Sequence, residues 1–238
     1  MTAIIDWAAK SLGFRNKNEK VLRANGQKVP YLEIRASDRP KQPLIIGVHG
    51  FGANESQMQT LVNISPKAEY TYIAPRAPHP HPTGGFMWFG IEFDGQNARF
   101  DNQRVAEALD LIDAFIEHAL ERYDADPERV VLVGYSQGGM LSFPYLLRHG
   151  SRVAAVAALA GSFTEETRAW QQSAALSGKS LFIGYGTKDP LVQPQEMFQA
   201  KSFFSDLGLQ VTYKQYPIPH VVSQQEVADI NSWLDTIL

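Results

Sequence analysis

Four short apolar runs recur along the chain: Leu44-Ile-Ile-Gly-Val-His49, Thr71-Tyr-Ile-Ala74, Val130-Val-Leu-Val-Gly134 and Leu181-Phe-Ile-Gly-Tyr185. Continuous apolar runs of this length, bounded by glycine, proline and polar residues, are the pattern of strands buried on both faces. Ala154 to Leu159 reads as a weaker fifth run, and Leu209 to Tyr213 as a final strand. A different period fills the gaps. From Asn102 to Arg122 the apolar positions Val105, Leu109, Ile112, Ile116 and Leu120 repeat every three to four residues, with Asp101 or Asn102 placed as N-cap. Met140 to Leu147 predicts a shorter helix that ends with His149 in a basic last turn and Gly150 as its C-cap. Met197 to Leu207 and Gln225 to Leu238 complete the helices. Ahead of the first buried run, Val21 to Ala24 and Val29 to Ile34 flank Asn25-Gly26, a pair suited to the φ > 0 turn of a tight hairpin. Strands alternating with helices predict an α/β fold: a mainly parallel central sheet with helices on both faces, entered through an N-terminal antiparallel hairpin.

Length and composition narrow this further. A chain of 238 residues buries about 70% or more of its unfolded surface, enough for one α/β domain. No repeat or low-complexity linker divides it, so residues 1–238 are expected to form a single domain without a large cap, with 1–18 as an N-terminal extension. Cysteine is absent, which excludes disulfide scaffolds, thiolate metal sites and a thiol nucleophile. The 22 basic and 25 acidic side chains leave a net charge of −3 and no block of like charge, so a nucleic-acid partner is not expected. The start of the chain lacks the basic and apolar regions of a signal peptide, and Val153 to Gly161 is far too short to cross a bilayer. A cytoplasmic protein without stable membrane insertion, a monomer or homodimer, is the expectation.

The chemistry centres on Gly134-Tyr-Ser136-Gln-Gly138. Composition alone would produce a Gly-x-Ser-x-Gly somewhere in such a chain roughly one time in ten. Here it lies between a buried strand and a helix, the setting of a nucleophile elbow, although an ordinary glycine-rich turn has the same composition. A serine hydroxyl needs a base and a group to orient that base. The fold orders these as serine, acid, histidine. Of the two histidines after Ser136, His149 falls at a helix end and reads as a cap, whereas His220 follows the last strand, at the sheet edge where such folds place chemistry. Asp189, just past the Leu181 to Tyr185 strand, is the candidate acid, with a plain turn before Pro190 as the competing reading. Charge developing on a carbonyl oxygen requires preorganised N–H donors. Gln137, after the serine, supplies one amide, and Phe51 in His49-Gly-Phe-Gly52 supplies the other. His49 itself reads as a hydrogen-bonding residue behind that loop. His79 and His81, in a stiff Pro-rich segment, read as pocket rim rather than metal ligands, and His118 as a surface residue.

These residues resemble the phospholipase/carboxylesterase group of α/β-hydrolases, which includes the acyl-protein thioesterases. The likeness runs from about Pro43 to the C-terminus through His49 to Gly52, Pro75-Arg-Ala-Pro78, Gly85 to Phe89, the elbow, Asp189-Pro-Leu-Val192, and His220 followed by Glu226 and Trp233-Leu234. The resemblance implies an α/β-hydrolase fold and cofactor-free hydrolysis of small acyl esters or thioesters. It assigns Ser136 as nucleophile, Asp189 as acid, His220 as base, and the Phe51 and Gln137 amides as oxyanion hole. Trp88 and Leu191 become candidates for the acyl pocket. Ala53-Asn54 stands where the family often has Asp, and Tyr185-Gly186 where it often has His-Gly. These departures favour a general small-acyl esterase over a protein thioesterase. With no room for a large separate lid, an open site for short- to medium-chain acyl groups is expected. A lysophospholipase, a serine peptidase, a dienelactone-type hydrolase, which usually has the cysteine this chain lacks, and a non-catalytic binding module are the alternatives.

Overall fold

The computed structural model describes residues 20–35, 37–61, 70–94, 97–170 and 176–238. The expected 1–18 extension lies outside them. Eight strands form one sheet: β1 (Lys20–Ala24), β2 (Gln27–Arg35), β3 (Leu44–Val48), β4 (Thr71–Pro75), β9 (Val130–Tyr135), β10 (Ala155–Leu159), β11 (Ser180–Gly186) and β12 (Gln210–Tyr216). Their spatial order is β1-β2-β4-β3-β9-β10-β11-β12. The pairs β1–β2 and β2–β4 are antiparallel, and every pair from β4 to β12 is parallel. The hairpin turn forms at Asn25 and Gly26, with φ of 47° and 75°.

The apolar runs are continuous because both faces of the central strands are covered. Leu44, Ile46 and Val48 face one core, and Ile45 the other; Val130 and Leu132 alternate with Val131 and Val133 in the same way. The first core is closed by α2 (Asn102–Tyr123), α3 (Gln137–His149) and α5 (Pro194–Asp206), the second by α1 (Gln57–Leu61) and α6 (Gln224–Ile237). A single turn, α4 (Glu165–Arg168), follows β10. The N-terminal hairpin is tied to α2 by polar contacts as well: the Tyr31 and Tyr123 hydroxyls meet at 2.7 Å, and Tyr123 donates to Glu33.

Three features depart from the sequence expectation. Two small hairpins, β5 (His79–Pro80) with β6 (Phe86–Met87) and β7 (Glu92–Asp94) with β8 (Asn97–Arg99), occupy the stretch between β4 and α2. Their strands are too short to leave a period in the sequence. Gly150 is the C-cap as expected, but in right-handed backbone: its φ of −59° carries α3 straight into a 3₁₀ turn over Gly150–Arg152. His149 lies in the basic last turn as expected but makes no capping hydrogen bond. It lies between α2 and α3, 3.4 Å from Asp110 and 3.7 Å from Asp113, beside the Tyr145 ring, and burial holds its imidazole below the ordinary value.

On the opposite face, α6 carries a carboxyl into the protein. Ser223 caps the helix by accepting from the Glu226 amide, and the Glu226 side chain packs against Gly184 of β11. Neither Glu226 oxygen has a well-formed hydrogen bond among the described residues. Burial, the leading cause, raises its pKa from 4.5 to about 7, the Ser223 amide opposing and Asp229 adding to it. The folded state therefore holds this proton more tightly than the unfolded chain. Its contribution to stability is complete below pH 4.5 and is lost as pH rises through about 7. Glu226→Gln should consequently stabilise the protein at pH 8 by about 2 to 3 kcal/mol and change little at pH 4.5. Thermal unfolding at the two values checks this; an equal gain at both would show that Glu226 does not titrate as described.

Candidate active site

The chain leaves β3 toward β4 on one side and leaves β9 toward β10 on the other, so a crevice opens where these two neighbouring strands end. The loop after β3 and the turn after β9 meet there. The turn is sharp: Ser136 has φ 54° and ψ −113°, while its amide donates to the Leu159 carbonyl at 2.9 Å and its own carbonyl accepts from Met140 at 2.9 Å. Non-glycine residues held this way carry a strain of about 1 to 3 kcal/mol. Close contact holds the turn in place. A Cβ on Gly138 would lie 2.0 Å from the Val48 carbonyl, so only glycine lets α3 begin this close to β3.

Ser136, His220 and Asp189 come together from three separate loops. The Ser136 hydroxyl lies 2.9 Å from His220 Nε2, and His220 Nδ1 lies 2.7 Å from Asp189 Oδ2. The Asp189 carboxylate is fully buried, and the His220 side chain is 20% exposed. Asp189 also accepts from the amides of Leu191 at 2.8 Å and Val192 at 3.2 Å. Burial, the largest single influence, would raise the Asp189 pKa, but the hydrogen bonds from His220 and these amides, with the His220 charge, hold it below the ordinary carboxylate value. Two further contacts fix the histidine loop. Tyr135 donates its hydroxyl to the His220 carbonyl at 3.0 Å, and Lys188 donates its amide to Ile218 at 3.1 Å, tying the acid and histidine loops together.

The loop over Gly50–Gly52 is held from all sides. Gln57 Oε1 accepts from the Gly50 amide at 2.9 Å, and Gly52 donates to the Phe86 carbonyl at 2.9 Å. Glu55 binds Arg76 through two hydrogen bonds of 2.8 and 2.5 Å. Between Gly50 and Gly52, the Phe51 amide finds no acceptor among the described residues, and the same holds for the Gln137 amide at the start of α3. The Phe51 ring packs edge-on against His81, 4.5 Å between centroids. His49 is fully buried. It accepts from the Ala77 amide at Nε2 (3.0 Å), which assigns the proton to Nδ1 and makes that nitrogen the donor to Gly50 O (2.8 Å). Burial draws its pKa down to about 4, against the opposing pull of the Gly50 carbonyl, so the ring stays neutral near neutral pH.

Leu191 is 58% exposed beside the acid loop, while Trp88 is buried with its indole N–H on the His49 carbonyl at 3.0 Å. Trp88 also contributes to a cleft of about 290 Å³ with Gln27, Pro78, His79 and Arg104, whose lining does not include Ser136, Asp189 or His220. His118 is exposed. No group of three or more His, Asp or Glu able to hold a metal ion occurs among the described residues. Sequence reasoning missed what the Gln137 side chain does: it accepts from the Trp88 amide at 2.9 Å and donates to the Phe89 carbonyl at 2.8 Å. A long amide side chain between two glycine-rich positions was its only sequence signal.

A family profile described as Phospholipase/Carboxylesterase matches residues 29–238. The chain belongs to this family. As a phospholipase/carboxylesterase member it is a carboxylic ester hydrolase, and the match begins within the N-terminal hairpin. It is 28% identical to acyl-protein thioesterase 1 of Debaryomyces hansenii over 228 residues, covering 89% of this chain and 98% of that protein. It is 28% identical to carboxylesterase SOBER1 of Arabidopsis thaliana over 203 residues, covering 80% and 88%. Among solved structures, the Bacillus cereus carboxylesterase shares the fold with a TM-score of 0.77 at 22% identity, covering 88% of this chain and 95% of that one. No helix among the described residues is long and apolar enough to cross a membrane.

The elbow generates a stability prediction. Gly138→Ala should destabilise the protein by at least about 3 kcal/mol, because backbone rather than a flexible side chain stands in the way. Gly26→Ala, with open space around it but φ of 75°, should lose only about 1 kcal/mol. Urea unfolding of the two variants measures the contrast.

Proposed function

We propose that this chain, as a single catalytic domain, hydrolyses short- to medium-chain acyl esters and thioesters through an acyl-enzyme on Ser136. The observation that carries the reading is the unbroken relay from the Ser136 hydroxyl to His220 and Asp189, with separations of 2.9 and 2.7 Å. In this mechanism Ser136 Oγ attacks the acyl carbonyl carbon while His220 Nε2 takes its proton. Asp189, ionised and buried, holds the Nδ1–H tautomer and stabilises the imidazolium. The carbonyl oxygen becomes an oxyanion facing the Phe51 and Gln137 amides. Collapse of the intermediate breaks the bond to the alcohol or thiol, which receives the proton from Nε2. Water then repeats the sequence, with His220 again as base, and releases the acid and free Ser136.

The exposed Leu191 and Val221, at 58% and 40%, flank the acid and the base and form an open apolar rim for the acyl chain. The names of the relatives support a second reading, removal of acyl groups from protein thioesters, which shares every step and differs only in the leaving group.

A fluorophosphonate probe should label the folded protein at Ser136, and Ser136→Ala should lower kcat by about 10⁴ to 10⁶. Undiminished turnover would remove Ser136 from the mechanism. Asp189→Asn should reduce kcat about 10⁴-fold while leaving the fold intact. Across p-nitrophenyl esters, kcat/KM should peak at short or medium chains; a steady rise from acetate to palmitate would exclude the chain-length preference. A matched acyl-thioester series separates the two readings.

A further inference from the structure

We propose that Trp88 is a positioning residue for the oxyanion hole, joining the two donor amides through a buried chain of hydrogen bonds. The inference rests on the reading of Phe51 and Gln137 as those donors. It begins at the elbow, where the Gln137 side chain grips the backbone of the segment after β6 at two points, the Trp88 amide (2.9 Å) and the Phe89 carbonyl (2.8 Å). The Trp88 indole then reaches back with its N–H to the His49 carbonyl at 3.0 Å, at the root of the other loop. His49 continues the chain by donating from Nδ1 to Gly50 O. The same segment returns a second time through Phe86, which accepts from Gly52 at 2.9 Å and donates to Ala53 at 2.7 Å. Phe51 is thus fastened on both sides to the strip of chain that Gln137 holds.

Every side chain in this circuit is out of water: Gln137 is 1% exposed, Trp88 1% and His49 0%. Buried hydrogen bonds are costly to leave unmade, so such a network has few alternative arrangements. Packing alone would be satisfied by any large aromatic group at position 88. The indole N–H is needed only to fix where the His49 carbonyl, and therefore the Phe51 amide two residues later, stands relative to Gln137. Misplacing one donor acts on the transition state and leaves ground-state binding of substrate unchanged.

The test replaces Trp88 site-specifically with 3-benzothienylalanine, which keeps the ring shape and lacks the N–H. With p-nitrophenyl butyrate as substrate, kcat should fall about 10- to 100-fold with KM within about threefold. Inhibition by a trifluoromethyl ketone, which mimics the tetrahedral oxyanion, should weaken by the same factor as kcat/KM. Gln137→Met, which keeps the backbone donor and removes both side-chain hydrogen bonds, should show the same pattern. Unchanged kcat in either folded variant overturns the proposal, as does a rise in KM alone, which would make Trp88 a wall of the acyl pocket. Failure of the wild-type protein to react with fluorophosphonate at Ser136 would instead remove the underlying esterase mechanism, so the two failures are read from different proteins.

Discussion

Val48 stands opposite Gly134 in the parallel pair β3–β9, and the helix after β9 rests Gly138 directly against the Val48 carbonyl. This register, locked by a contact too close for any side chain, brings two loops that are about ninety residues apart in sequence to the same place. The strained Ser136 backbone, the Gln137 amide that has no acceptor among the described residues, and the start of α3 all follow from it. So does the position of the Gly50–Gly52 loop, which has no regular structure of its own and takes its shape from the partners around it. A shift of one residue in that pairing would turn every side chain of β9 to the opposite core and separate the serine from its surroundings.

The candidate site divides between the turns that bring three polar side chains together and the elements that hold those turns. Ser136, Asp189 and His220 sit on turns, where backbone geometry is free to vary, but each turn is anchored to a strand end or a helix start. The anchoring is polar and buried: Tyr135 on the His220 carbonyl, the Leu191 and Val192 amides on Asp189, Gln57 on Gly50. Buried polar groups specify a single arrangement because any other leaves donors or acceptors unmatched. The apolar cores on the two sheet faces supply most of the stability, and they contain none of the three relay residues.

The sheet was legible from the sequence because burial on both faces leaves an uninterrupted apolar signature, and α2 because its 22 residues give the helical period time to repeat. Even the alanine-rich run before Gly161 became β10 as read, its weak propensity overridden by strands on either side. Helix starts were misplaced by about three residues in α3 and α5 because their first turns carry glycine, proline and polar residues instead of apolar ones. The small hairpins between β4 and α2 escaped notice since two- and three-residue strands have no period. At the candidate site, the turns carrying Ser136, Asp189 and His220 could be placed because each follows a strand, and the structure brings their side chains together. The hydrogen bonds of Trp88 and of the Gln137 side chain were not legible, since they depend on distances across the sheet that no local pattern encodes.

Among the described residues the sheet ends at β1 and β12, whose outer backbone groups pair with no further strand. Each carries a lysine held by a carboxylate: Lys20 on β1 bonds Glu33 at 2.5 Å, beside Arg23, and Lys214 on β12 lies 3.9 Å from Asp229. Lysine on an edge is a common barrier to strand addition, since a strand pairing there would strip water from the ammonium and its partner. Growth of the sheet from molecule to molecule is therefore opposed at both margins.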